Sequence, residues 1–318
     1  MLTALTSAVA LVVSLAVTPI VRLVAERLGL LDQPDAKRKI HEQPVPRLGG
    51  LAIAIAFGAA IGFAALATLD LNAVGILRPN RAPAILAGAA LLVVVGVVDD
   101  VRGMRALLKL AWQVAAAVLA FVLGLSLERL HLPWGTVDLG LLALPVTVTW
   151  IVAVINAINL IDGLDGLATG VVLAALGAFA LLAASDGVDP TLPIIAAAGG
   201  AAIGFLAYNL HPASIIMGDT GSMFLGFVVG SVSISLIQDG VTPQPPWVPV
   251  IALAIPLADM VWAIIRRTAR GEPFFVADRG HIHHQLLRAG LSQRDAMLML
   301  TAVSAGLAVL AVLLGRVG

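Results

Sequence analysis

Asp99-Asp100, Asp162, Asp165 and Asp219 are the carboxylates whose neighbours suggest chemistry. Asp99-Asp100 end an apolar run, 91–98. Two adjacent carboxylates at a helix C-terminus repel each other and oppose the helix dipole. Pairing with Arg102 or Arg105 would explain them blandly; a Mg2+ site or a general base would explain them functionally. In Asn156-Ala157-Ile158-Asn159-Leu160-Ile161-Asp162-Gly163-Leu164-Asp165, the polar residues Asn159, Asp162 and Asp165 recur at i, i+3, i+6. On a helix that spacing places neighbours within side-chain reach. An Asp-Gly turn accounts for part of this pattern, but not for three oxygen-bearing side chains so close to lipid. Asp219 lies between Gly218 and Gly221 in Gly218-Asp219-Thr220-Gly221-Ser222, shortly after Asn209 and His211. It is either an N-cap or a metal-binding Asp at a helix start whose N–H groups cradle phosphate.

Two further clusters are basic or imidazole-rich. Lys37, Arg38, Lys39, His41 and Arg47 precede Gly49-Gly50. This is either a solvated loop or an anion-binding loop in which two glycines let backbone N–H groups approach a phosphate. Arg279, His281, His283 and His284 crowd into one short tract. Zinc is one reading of such a tract, and donation to phosphate or sugar oxygens is another. There is no cysteine, so no soft thiolate ligand supports zinc. Hard oxygen donors favour Mg2+, or Mn2+, instead. Neither a P-loop nor a nucleophilic-elbow motif is present. Carboxylates, amides, cations and glycines are the parts of a metal-dependent phosphoryl transfer site, where a protein mainly positions reactants and neutralises charge.

The elements that must hold these clusters are membrane helices. Sixty per cent of the 318 residues are hydrophobic and 12% are charged, about half the charge of an ordinary soluble domain. Such an apolar excess needs lipid as solvent. Ten segments fit a span: 2–20, 48–69, 82–98, 110–127, 139–161, 167–184, 192–208, 223–237, 248–265 and 296–314. The first has no basic n-region and reads as a spanning helix rather than a cleavable signal. Asp259 is the single charge inside a span; it should pair or face the bundle interior, as structural support. The expected fold is an all-α polytopic membrane protein of about ten transmembrane helices, one integral membrane domain over 1–318. Pro133 to Asp138 reads as a short outward hairpin with an interfacial Trp.

Ten spans place both termini on one side. Fifteen of the nineteen lysines and arginines fall in the loops after spans 1, 3 and 9. The positive-inside rule makes those loops cytoplasmic and both termini extracytoplasmic. All five polar clusters fall on the cytoplasmic side. A formal net charge of zero offers no global attraction for nucleic acid. A secondary transporter is the alternative of a different class, but its polar groups would lie near the midplane in related halves. Here they lie at span ends on one side. A homodimer would need an exposed span face, which the pattern does not identify.

The segments RKIHEQPVPRLGG (38–50), VVDD (97–100), NAINLIDGLDGLA (156–168), GDTGS (218–222) and DRGHIHH (278–284) occur in that order. The ordered set resembles the polyprenyl-phosphate N-acetylhexosamine-1-phosphate transferases. Pro46-Arg47-Leu48-Gly49-Gly50 stands where the peptidoglycan branch has a PTMGG-like sequence, so the resemblance favours UDP-GlcNAc as donor over UDP-MurNAc-pentapeptide. It implies a cell-membrane enzyme with its active site facing the cytoplasm. The enzyme would transfer a sugar-1-phosphate from a UDP-sugar to undecaprenyl or another polyprenyl phosphate, releasing UMP. This is the first membrane step of an envelope polysaccharide such as lipopolysaccharide or teichoic acid. It also implies residue roles. Asp219 would be the principal Mg2+ ligand. Asp99 and Asp100 would lie beside the metal, with one of them, Asp99 by preference, acting on the lipid phosphate. Asn159, Asp162 and Asp165, with Asn209, would serve the nucleotide, the pyrophosphate or the metal site. Lys39, His41, Arg47, Arg279, His281, His283 and His284 would meet phosphate or sugar. Direct attack by the lipid phosphate and a covalent aspartyl-phosphate route both remain open at this point.

Overall fold

The computed structural model describes residues 1–32, 44–68, 81–185, 191–239, 243–273 and 280–317. It is helical almost throughout. In chain order the helices are α1 (Leu2–Arg27), α2 (Gly49–Thr68), α3 (Ala82–Arg102), α4 (Ala106–Val122), α5 (Ala143–Ile161), α6 (Leu167–Ser185), α7 (Leu192–Asn209), α8 (Gly218–Asp239), α9 (Trp247–Ala252), α10 (Ala254–Ala269), α11 (Ile282–Arg288) and α12 (Gln293–Val317). Among the described residues eight are long and apolar enough to cross a membrane: α1, α2, α3, α5, α6, α7, α8 and α12.

Two expected spans differ from what forms. The fourth starts four residues early, and α4 is a shorter apolar helix. Its early start places Lys109 inside the helix rather than in a loop. The ninth is broken at Leu253 into α9 and α10. Pro256 lacks an N–H and crowds the carbonyl four residues earlier, Ala252. The helix cannot run through that point unbroken.

Helix α8 is the axis of the bundle. Every residue from 220 to 237 is buried, and the helix packs against α2, α3, α5 and α6. A helix apolar all round belongs in such a position. Between lipid-immersed helices there is no hydrophobic drive, so close packing and interhelical hydrogen bonds hold the bundle. At Gly96 of α3 a side chain would overlap the Thr220 backbone, so only glycine lets α3 and α8 approach at the site. Trp150 Nε1 donates to Ser233 Oγ at 2.8 Å. Helix α1 is tied to α7 by Ser14 Oγ donating to the Ala201 carbonyl at 2.8 Å and Tyr208 Oη donating to the Leu15 carbonyl at 2.9 Å.

Two small hairpins mark the ends of the bundle. At one end β3 (Arg129–Leu132) pairs antiparallel with β4 (Gly135–Asp138) across Pro133-Trp134, in the register Arg129↔Asp138 to Leu132↔Gly135. Trp134 is 80% exposed at its tip, as an interfacial anchor requires. At the other end β1 (Leu31–Asp32) pairs with β2 (Val45–Pro46). Residues 46–50 continue along 216–217: Ile216 N donates to the Pro46 carbonyl, Gly49 N to the Ile216 carbonyl and Gly50 N to the Met217 carbonyl.

That docking corrects the reading of Gly49-Gly50 as a phosphate cradle. Both N–H groups are already taken by carbonyls, and at Gly50 a Cβ would collide with the backbone of Gly221. The glycines serve close packing against the start of α8. The result is to carry Arg47 to the same end as the other clusters.

Candidate active site

The C-termini of α3 and α5 meet the N-terminus of α8 at this end of the bundle. A polar cavity of about 340 Å³ opens there, lined by Asp32, Arg47, Asp100, Asn159, Asp162, Asp165, Asn209, Asp219 and His284 among others. Three of the five expected clusters therefore reach one cavity with described side chains from each, joined by Arg47 and His284 from the other two. Lys39, His41 and Arg279 lie outside the described residues.

The awkward Asp99-Asp100 pair is resolved by what faces it. Asp100 accepts from Asp219 N at 2.9 Å, Thr220 N at 3.0 Å and Thr220 Oγ1 at 2.6 Å. Its carboxylate thus caps the N-terminus of α8, where the helix dipole favours negative charge. This corrects the idea that those N–H groups cradle a substrate phosphate. Asp99 instead faces Lys109 of α4. The Lys109 ammonium bridges Asp99 and Asp219, at 2.9 Å from the latter. Neither Arg102 nor Arg105 takes the pairing that the sequence suggested.

Asp219 is held from a third direction. Asn159 Nδ2 donates to Asp219 Oδ1 at 2.5 Å and to Ser222 Oγ at 2.8 Å. Lys109 and Ser222 were not singled out in the sequence. The expected loop position hid Lys109; only the early start of α4 makes it a lone cation one turn inside an apolar helix, which is costly unless it has a partner. Asp32 was also missed; it pairs with Arg47 across the small hairpin.

The i, i+3, i+6 pattern is only half helical. Helix α5 ends at Ile161, and Asp162 leaves it with ψ 47°. Asp165 therefore sits in the following turn, where its Oδ2 accepts from Ala213 N at 3.0 Å and from His211 Nδ1 at 2.9 Å. Asn209 Oδ1 accepts from Gly166 N at 3.1 Å and Thr169 Oγ1 at 3.2 Å, while its Nδ2 donates to the Ile215 carbonyl at 3.1 Å. Both side chains clasp the cavity wall together, so the geometry gives them a positioning role.

The histidines also separate. His281 and His283 are 5% and 2% exposed, which leaves neither free to meet a sugar or phosphate. His283 rests against Gly163; burial, and then the neighbouring His284 and His281, push its imidazole down to about 3. It is neutral at any physiological pH. Among the described members of the tract, His284 is the one that lines the cavity.

Asp162 carries the clearest electrostatic signature outside the spans. Burial, followed by repulsion from Asp219, Asp100 and Asp165, raises its carboxyl from 3.8 to about 8. A raised carboxyl keeps its proton in the folded chain where the unfolded chain has lost it, so stability from this group falls as pH climbs from about 4 to about 8. Asp162→Asn removes that liability. In chelator, the melting-temperature difference, variant minus wild type, is expected to grow across that window and then level. Melting scans at several pH values check this, and a constant difference would contradict it.

The same excess of negative charge bears on a metal. Hard carboxylate and amide oxygens with uncompensated charge suit a divalent cation such as Mg2+. Among the described residues no three carboxylates or imidazoles converge as a ready-made metal site; the donor chemistry fits, while the ligands stand apart and are held by Lys109 and Asn159.

Residues 82–237, from α3 through most of α8, match the model of glycosyl transferase family 4. A probable undecaprenyl-phosphate N-acetylglucosaminyl 1-phosphate transferase of Bacillus subtilis is 38% identical over 92% of this chain and 79% of that protein. The chain belongs to glycosyl transferase family 4. Two further relatives have similar names. They are a decaprenyl-phosphate N-acetylglucosaminephosphotransferase of Mycolicibacterium smegmatis, 34% identical over 93% of this chain and 78% of its own, and an undecaprenyl-phosphate alpha-N-acetylglucosaminyl 1-phosphate transferase of Escherichia coli, 31% identical over 92% and 78%. In this family 4 glycosyl transferase the matched segment contains Asp99, Asp100, Lys109, Asn159, Asp162, Asp165, Asn209 and Asp219. Arg47 and the histidine tract lie outside it, within the range of the longer pairwise matches.

Proposed function

We propose that this protein transfers GlcNAc-1-phosphate from UDP-GlcNAc to a polyprenyl phosphate, releasing UMP with the help of Mg2+. The observation that carries the proposal is the likeness, along more than nine-tenths of the chain, to relatives named as undecaprenyl- or decaprenyl-phosphate N-acetylglucosamine-phosphate transferases. The cavity supports it, because a charged polar site walled by apolar spans can receive a water-soluble donor and a lipid acceptor together.

In the proposed step an oxygen of the lipid phosphate attacks the sugar-linked phosphorus of the donor. The bond from that phosphorus to the bridging oxygen breaks, and UMP leaves with the electron pair. Asp99 takes or orients any proton remaining on the lipid phosphate, and Lys109 beside it compensates the charge that gathers there. Arg47 and His284, at the cavity wall, donate to phosphate or sugar oxygens. Asp219, with Asp162 lining the same cavity, would hold the divalent cation, which supplies charge neutralisation on the transferring phosphoryl group. Asn159 keeps Asp219 aimed, and Asp100 keeps the α8 terminus in place.

The direct test is purified protein with undecaprenyl phosphate and either UDP-GlcNAc or UDP-MurNAc-pentapeptide, with and without Mg2+. Mg2+-dependent UMP from UDP-GlcNAc alone is expected. Release only with the pentapeptide would move the protein to peptidoglycan synthesis, and release from neither would remove the donor assignment.

The proposed site faces the cytoplasm, with both termini outside the cell. The chain has no cysteine, so single cysteines can report sidedness. Trp134→Cys, on the hairpin opposite the site, is expected to react with an impermeant maleimide on intact cells. Glu272→Cys, just after α10, is expected to react only once the membrane is opened. The reverse pattern would invert the topology.

A further inference from the structure

Asp259 is a buried acidic group, away from the cavity lining, that the proposed reaction leaves unused. It lies on α10 and is 6% exposed. A carboxylate so placed in an apolar helix is costly, and an aliphatic residue would pack there without that cost. Both of its oxygens are used, and both serve the histidine tract. Oδ2 meets His281 Nδ1 at 2.8 Å, and Oδ1 accepts from Ile282 N at 2.8 Å. One carboxylate thus fixes the first turn of α11 and the orientation of an imidazole ring. His281 stacks parallel to His283, with ring centroids 5.8 Å apart and planes 3° apart, and His283 in turn packs on His284 with ring centroids 4.3 Å apart and planes tilted by 48°. His284 lines the cavity.

We propose that Asp259 is a positioning residue for the transfer, acting through His281 and the imidazole stack to aim His284 into the cavity. The proposal rests on the reading of that cavity as the transfer site. Because a carboxylate only accepts, the His281 proton resides on Nδ1. Asparagine at 259 cannot reproduce this. Ile282 N–H can only donate, so it claims the amide oxygen, and the amide N–H₂ then faces Nδ1. The ring can answer only by moving its proton to Nε2. A substitution of nearly equal shape therefore reverses the tautomer of His281.

The test uses full-length protein in detergent, labelled with 15N at histidine, with His281→Gln assigning the resonance. In Asp259→Asn the His281 Nδ1 signal is expected to move from the protonated to the unprotonated range. In Asp259→Glu it is expected to stay. Loss of a group that orients another typically costs about 10- to 100-fold, so kcat for UMP release is expected to fall by that order in Asp259→Asn and to recover in part in Asp259→Glu. In a His284→Ala background the Asn substitution should cost no more than about threefold, because residues acting as a unit are not additive.

Unchanged turnover with a reversed tautomer overturns the proposal. So do losses that multiply in the double variant, or an inert His284→Ala. Should Asp259→Asn fail to fold, His281→Gln carries the same kinetic expectation. If the wild type releases no UMP from any donor, the transfer reading fails, while the NMR result still decides whether Asp259 sets the ring.

Discussion

Replacing Asp219 with alanine is expected to abolish UMP release while the protein stays folded. Loss of several kcal/mol of charge stabilisation in a phosphoryl transfer corresponds to a rate fall on the order of 10³-fold or more. The fold should survive because Asp100 grips the backbone N–H of residue 219, not its side chain, and alanine keeps that N–H. Asn159 keeps its bond to Ser222. A second readout separates metal loss from other damage. A cation that binds only the folded protein raises its melting temperature. That Mg2+- or Mn2+-dependent rise is expected in the wild type and should vanish in Asp219→Ala. Normal turnover in a folded variant would sink the metal assignment.

Lys109→Met should have the next largest effect. Lys109 holds Asp99 and Asp219 together, with only 18% of its side chain exposed. Methionine preserves the stem and removes the charge, leaving two carboxylates facing each other without a cation. Removing one preorganised charged donor from a transfer site costs roughly 10²- to 10³-fold in kcat, and that is the fall expected. Breaking a buried pair also costs stability, so a lower melting temperature in detergent should accompany it. Lys109→Arg keeps the charge in a wider, planar group and should recover part of the activity. Turnover within about threefold of wild type in Lys109→Met would remove this residue from the charge balance of the site.

These two residues differ in how visible they were. Asp219 was legible because a carboxylate between glycines at the head of an apolar run is unusual on its own. Lys109 was not, because near a membrane surface a lysine is ordinarily a topology charge. The same limit hid the role of Asp259. Its isolation inside a span was plain, and so was its need for a partner. The partner, His281, is 22 residues away, beyond the end of its helix.

By itself the sequence determined that the chain lives in lipid, roughly where its helices run, and that the acidic, amide and histidine clusters share one end. These follow from hydropathy and charge along the chain, properties that each segment carries without reference to the others. It also placed the break after α5 and the Trp-tipped hairpin, which are set by local turn residues. Only the tertiary structure decided which carboxylate does what. Asp100 became a cap because the N-terminus of α8, 119 residues later, lands on it. Asp99 became half of an ion bridge because α4 begins early enough to bring Lys109 alongside. Gly49-Gly50 became a packing surface, and His281 and His283 went inside while His284 reached the cavity. Each of these outcomes depends on which helix faces which, and in lipid that is settled by close packing and polar pairing between segments far apart in sequence.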